Sequence, residues 1–257
     1  QTALQNALGF CKTMLLSANP ILDSTAKRPA PVTLWFHGPG GVGKSTLTQF
    51  LMDASVAQYP TRRPYRRGND IYHYNPSQEF WNGFHGQQVF FASEAFQIVD
   101  SQVRLKAFET WFKTGEDSAW TVNMAQMEHK GTMYCEPELC VWAENATIEE
   151  TGLSKYITNV GAALRRMALE VKVLPTKEAI ASGYFIELPQ GAYRYSGPDY
   201  NFHPEYLEFH IKRVESKDNI LKEVWDWDRL VSFVTEQRKK NRESYYAKLK
   251  QLSEPLN

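Results

Sequence analysis

The stretch Pro31-Val32-Thr33-Leu34-Trp35-Phe36-His37-Gly38-Pro39-Gly40-Gly41-Val42-Gly43-Lys44-Ser45 decides the fold. Its first half is an apolar, β-branched and aromatic run of strand length, its second half a glycine-rich turn. A helical run from Lys44 to about Val56 follows. Gly38 to Ser45 satisfies G-x-x-x-x-G-K-[ST]. In that pattern the glycines let backbone N–H groups turn inward around phosphates, and the next helix offers its N-terminus to negative charge. Lys44 is placed to reach the β and γ phosphates, Ser45 to ligate Mg²⁺, and Thr46 to complete the phosphate-binding set. With a strand before it and a helix after it, the motif is more than a chance glycine-rich turn.

Working outward, Val89-Phe90-Phe91-Ala92 and Leu139-Cys140-Val141-Trp142-Ala143 are apolar runs that suit strands buried on both faces of a parallel sheet. Helical stretches at about 102–113 and 154–164 serve as crossovers or covering helices. From residue 181 the pattern changes: Tyr184–Leu188 and Tyr206–His210 read as antiparallel strands, and 217–252 as helical. The sequence thus predicts an α/β fold, a P-loop NTPase with a parallel central sheet and a small C-terminal α+β extension. Its expected parts are an N-terminal helix and connector (1–29), a core (30–175) and an extension ending in an amphipathic helix (176–257).

Composition sets limits. Lys plus Arg and Asp plus Glu are 29 each, so a uniformly basic nucleic-acid coat is excluded, though a local basic patch is not. Cys11, Cys135 and Cys140 form no CxxC pair, which argues against a disulfide framework and a four-ligand zinc site and fits a reducing compartment. No stretch reaches the ~18–20 apolar residues of a membrane span. The chain begins with Gln1 rather than Met and reads as a piece of something longer.

A nucleotide hydrolase also needs an acid at the end of a neighbouring strand, to hold the Mg²⁺ water shell or polarise the attacking water. Glu94 is the first candidate, directly after a strand, and Asp100 is the next acid along. Asn145 ends another strand, where a polar side chain can touch the γ-phosphate or the attacking water. Arg165 and Arg166 follow a helical segment, from which one can reach a neighbouring subunit's nucleotide. Each also has a plain reading: a surface acid, a turn residue and a solvated pair.

Taken together these residues resemble the superfamily 3 helicase-type ATPase of picorna-like positive-strand RNA viruses. Gly38–Ser45 is similar to its first motif, and Trp81-Asn82-Gly83-Phe84-His85-Gly86-Gln87 to the aromatic-Asp-Gly-Tyr-x-Gln stretch before the second. Ser93-Glu94-Ala95-Phe96-Gln97 stands in the place of Asp-Asp-x-x-Gln. Met124-Ala125 through Lys130-Gly131 resembles Met-Ala-x-x-x-x-Lys-Gly, Glu144-Asn145-Ala146 the third motif, and Arg165-Arg166 an Arg-Arg pair before a strand. The match runs from about 31 to 174. One departure matters: Ser93 replaces the first acid of the second motif, and a serine supplies no charge to a Mg²⁺ shell.

The resemblance implies ATP and Mg²⁺ as cofactors, with Lys44, Glu94, Asn145, Arg165 and Arg166 catalytic and Ser45 and Glu94 at the metal. It implies a homo-oligomeric, hexameric ring on single-stranded RNA that works with other viral replication proteins in the host cytoplasm, on membranes reached through a segment absent from this chain. Lys130 and His129 then fall on a loop lining the ring's pore. The C-terminal amphipathic run from Leu230 to Leu252 would dock on the next subunit or pack on its own domain. From the residues themselves, Arg62-Arg63-Pro64-Tyr65-Arg66-Arg67 combines phosphate-binding cations with an aromatic and suits single-stranded nucleic acid, or else is a solvated loop. The basic run at 238–242 reads as a solvated helix face. A nucleotide- and RNA-binding assembly protein with weak or no hydrolysis is the alternative that Ser93 leaves open. A small-molecule kinase would need an acceptor lid, and 60–100 offers none. A DNA-virus protein of the superfamily would usually bring an origin-binding domain.

Overall fold

The computed structural model describes residues 27–197, 201–216 and 219–253. The short helix expected in the first residues, with Cys11, lies outside them. β1 (Val32–His37) is central. It pairs in parallel with β6 (Leu139–Ala143) on one side and with β7 (Leu169–Pro175) on the other. Outside β6 come β3 (Val89–Ser93) and β2 (Ile71–Tyr74), also parallel. Beyond β7, β10 (Leu207–Ser216) and β11 (Asn219–Trp225) add two antiparallel strands, giving seven in the order β11-β10-β7-β1-β6-β3-β2.

The central strands are apolar in succession because both faces are covered. Val32, Leu34 and Phe36 enter one core with Val89, Phe91, Leu139, Val141 and Val171. Trp35 enters the other with Phe90, Cys140 and Trp142. α1 (Lys44–Gln58) covers the first face through Leu47, Leu51 and Met52; α2 (Ser101–Thr114) covers the second through Ala107, Phe108 and Trp111. Each such fully buried aliphatic or aromatic side chain contributes about 1.5–3 kcal/mol by leaving water.

Between α2 and β6, β4 (Trp120–Thr121) and β5 (Tyr134–Cys135) form a small hairpin. The helix expected at 154–164 is only a single turn at Leu153–Lys155 and the short α3 (Val160–Leu164). After β7 and α4 (Lys177–Ala181), a second hairpin joins β8 (Phe185–Glu187) and β9 (Tyr193–Tyr195).

Helix over 217–252 is corrected at its start: 219–225 is β11, and α5 (Trp227–Ser253) begins after it. The strand is a sheet edge with Ile220 and Val224 exposed, so its apolar residues mark no single buried face. The reading of 238–242 as a solvated face also changes. Leu230, Val231 and Val234 of α5 pack into the core. Arg238 is buried, 2.7 Å from the Glu138 carboxylate and 2.7 Å from Ser55 Oγ. Arg242 reaches the same carboxylate at 3.0 Å, and the Arg62 N–H donates to it at 2.7 Å. Burial acts to raise the Glu138 carboxyl, but the Arg62 N–H and the two guanidiniums outweigh it and hold it below the usual range. The first half of α5 is therefore bound to its own chain, while Tyr246 and Leu249 farther along are exposed.

Removing one partner of a buried pair strands the other, at a cost of about 3–5 kcal/mol. Glu138→Ala should lower the unfolding free energy by that amount in urea titration, and a loss below about 1 kcal/mol would contradict this account of how α5 is held.

Candidate functional site

The carboxyl ends of β1, β6 and β3 lie level because their registers match: Phe36 stands opposite Ala143, and Ala143 opposite Ser93. The residues that follow each strand therefore emerge side by side, in the crevice where parallel α/β sheets bind ligands. After β1 come Gly38, Pro39, Gly40, Gly41, Val42 and Gly43, then Lys44 at the start of α1. Gly41 has φ +80°, and a Cβ there would lie 1.7 Å from the Tyr193 carbonyl oxygen, so only glycine fits. The start of α1 has no side-chain cap and no acid in its first turn, which leaves its N–H groups to an anion. Ser45 and Thr46 are exposed there.

The structure brings the predicted set together as a chain of bonds. Lys44 Nζ donates to the carbonyls of Gly38 and Pro39, both at 2.8 Å, and to Asn145 Oδ1 at 3.0 Å. Asn145 Nδ2 donates to Glu94 Oε1 at 3.4 Å. Burial lowers the Lys44 ammonium, against the pull of Glu94 and Glu144. Glu94 sits at φ +53°, uncommon for a non-glycine residue, and its N–H is tied to the Ala143 carbonyl at 2.9 Å. Ser93 and Glu94 line a cavity of about 230 Å³ with His73, Asn75 and Ile98. Asp100 is spent elsewhere: its carboxylate caps α2, accepting from the N–H groups of Gln102 and Val103 at 2.8 and 3.0 Å.

One member escaped the sequence reading. Glu144 is buried, and its carboxylate accepts from the Phe96 N–H at 3.3 Å and from the Ala95 N–H, bracing the turn that presents Glu94. Burial pushes it up to about 7, only partly offset by those N–H groups. An acid directly after a wholly apolar strand was the available signal.

The remaining predicted residues lie apart. Arg165 and Arg166 precede β7, at the end of the sheet opposite the glycine loop. Arg166 is pinned to Glu116 and to the Ala162 carbonyl, with its guanidinium 5.0 Å from the Phe112 ring centre. Arg165 is exposed. Lys130 is exposed and His129 half-buried on the excursion between β4 and β5, closed by the Val122 N–H to Met133 carbonyl bond at 3.0 Å. Arg62 is turned inward onto Glu138 and the Glu136 carbonyl, and Arg63 donates to the Gly86 carbonyl at 2.9 Å.

Residues 34–145 match the family model described as RNA helicase. The replicase polyprotein of Cricket paralysis virus is 24% identical over 146 residues, 53% of this chain and 8% of that protein. That of Drosophila C virus is 24% identical over 219 residues, 84% of this chain and 11% of that protein. The genome polyprotein of Human klassevirus 1 is 27% identical over 122 residues, 46% of this chain and 5% of that protein. The chain thus spans about a tenth or less of these relatives' length. The resemblance to the picornavirus-type superfamily 3 helicase is borne out, and so is the P-loop NTPase fold. A helicase family of this kind uses a nucleotide and a metal in general.

Glu144 gives a pH test. A carboxyl whose folded value is raised above the unfolded one stabilises the fold fully below the unfolded value, and that contribution is lost as pH rises through the folded value. Stability of the wild type relative to Glu144→Gln should therefore fall between about pH 4.5 and 7, by up to about 3 kcal/mol. Parallel curves in denaturant titrations across that window would contradict the burial of an ionisable Glu144.

Proposed function

We propose that this chain is the ATP-hydrolysing, superfamily 3 helicase-type part of a picorna-like viral replicase, acting on single-stranded RNA as a hexameric ring during genome replication. The observation that carries the reading is the bonded chain Lys44–Asn145–Glu94, set beside an uncapped helix N-terminus at the level ends of three parallel strands. Such a site meets a triphosphate with a cradle of backbone N–H groups, a cation for the β and γ phosphates, a polar sensor and an acid. The residues fit Mg²⁺ as well: the Ser45 hydroxyl and the Glu94 carboxylate would hold it, and when bound it neutralises charge on the phosphate oxygens. In the hydrolytic step Lys44 exchanges its own loop's carbonyls for phosphate oxygens. Asn145, released from Lys44, orients on the γ-phosphate, and Glu94 orients the attacking water. Glu144 keeps the turn under Glu94 fixed.

Arg165 and Arg166 cannot serve the loop of their own chain from the opposite end of the sheet. A neighbouring subunit's loop is the target this position suits, and the exposed Arg165 suits it better than the pinned Arg166. Lys130, with His129, is the proposed RNA contact of the pore loop. Arg63 is a peripheral one, and Arg62 is left out because its charge is committed to Glu138. Replication in the host cytoplasm beside other viral proteins is part of the proposal, supported by the match to viral replicase polyproteins. Association with host membranes belongs to the same proposal; among the described residues no helix is long and apolar enough to cross one.

Ser93 favours a second reading, a nucleotide- and RNA-binding assembly protein with weak hydrolysis. At the place of a metal-shell acid it carries an uncharged hydroxyl.

Lys44→Ala should abolish hydrolysis and weaken ATP binding. Arg165→Ala should lower turnover sharply, within the roughly 10³–10⁵ that such arginines supply, yet leave the ATP affinity of the monomer intact. Mixing the two variants should recover part of the activity, because an intact loop from one chain then faces an intact arginine from the other. The check is turnover against mixing ratio, with assembly followed by light scattering; no recovery in rings shown to be mixed would sink the shared site.

A further inference from the structure

The proposed mechanism uses only the phosphate end of a nucleotide, and the structure also indicates where its other end lies. The inference rests on the reading of Gly38–Ser45 as a triphosphate cradle. With the γ-phosphate at Lys44, Asn145 and Glu94, on the β6–β3 side of the loop, the α-phosphate comes to the exposed first turn of α1 at Ser45 and Thr46. The nucleoside must then leave on the other side, toward β7 and the segment after it.

That segment is docked on the loop. The Tyr193 N–H of β9 donates to the Gly40 carbonyl at 2.8 Å. Phe202 packs against Gly43, so close that a Cβ at that glycine would be 2.4 Å from its ring. The same ring packs on Phe50, with centres 5.3 Å apart and planes at 57°. Phe50 is one helical turn beyond Thr46 and so shares its face of α1. Both aromatics are half-buried. Phe202 is therefore fixed by packing, flat-sided, and next to the point where the nucleoside emerges.

We propose that Phe202, backed by Phe50, is the wall on which the base of the bound nucleoside triphosphate stacks. Stacking on an aromatic face reads the π surface that every base has, so this contact adds affinity with little choice among bases.

The test compares two probes with the full chain in Mg²⁺ by titration calorimetry: ATP, and inorganic tripolyphosphate, which has the phosphates and no base. Phe202→Ala should weaken ATP binding by about 5- to 100-fold and leave tripolyphosphate unchanged, and Phe202→Trp should restore ATP. Unchanged ATP affinity in Phe202→Ala would overturn the proposal. Equal losses for both probes would also overturn it, since Phe202 would then only support the loop. Wild-type protein that binds neither probe would remove the triphosphate cradle itself, a failure distinct from any difference between the two probes.

Discussion

Parallel pairing of β1 with β6 and β7 is the constraint on which the nucleotide end of the molecule depends. Because the strands run the same way and Phe36, Ala143 and Ser93 lie in one row, the glycine loop, Asn145 and Glu94 leave the sheet at one level. Their side chains then need no long reach to meet. Strict burial of β1 on both faces makes that register hard to slip: moving Trp35 out of its core would put a fully buried indole in the wrong layer.

The same constraint explains the division of labour among the acids. Glu94 is the first residue past β3 and is turned outward at positive φ toward Asn145. Glu144, first past β6, is turned inward and binds the backbone of the next turn. Asp100 is drawn away by the helix it caps. Of the two carboxyls near Lys44 only Glu94 is exposed, and burial pushes the other up to about 7.

Much of this was legible in the sequence because the signals were local. A strand, a glycine loop and a helix in succession, two further runs apolar throughout, and an acid or an Asn at each strand end place the core and the Lys44–Asn145–Glu94 set. The losses came where the signal was non-local. β11 is an edge strand with Lys222 and Glu223 among its apolar residues, and nothing in that run announces its partner β10. Arg238 looks like a surface cation until Glu138, a hundred positions earlier, is placed beneath it. Arg62 is drawn into the same cluster and away from the solvent that its neighbours' charge suggested. Phe202 has no motif at all, and its nearness to Gly43 comes from the docking of the β8–β9 hairpin and the chain after it on the loop.

The level strand ends are proposed to form a working hydrolytic site although Ser93 stands where the resemblance expects an acid. Steady-state phosphate release from ATP in Mg²⁺, by protein whose assembly is verified and with single-stranded RNA present, tests it most directly. Sustained turnover that disappears when Glu94 is changed to Gln is the expected result. Tight ATP binding by such assemblies with no phosphate released would contradict it.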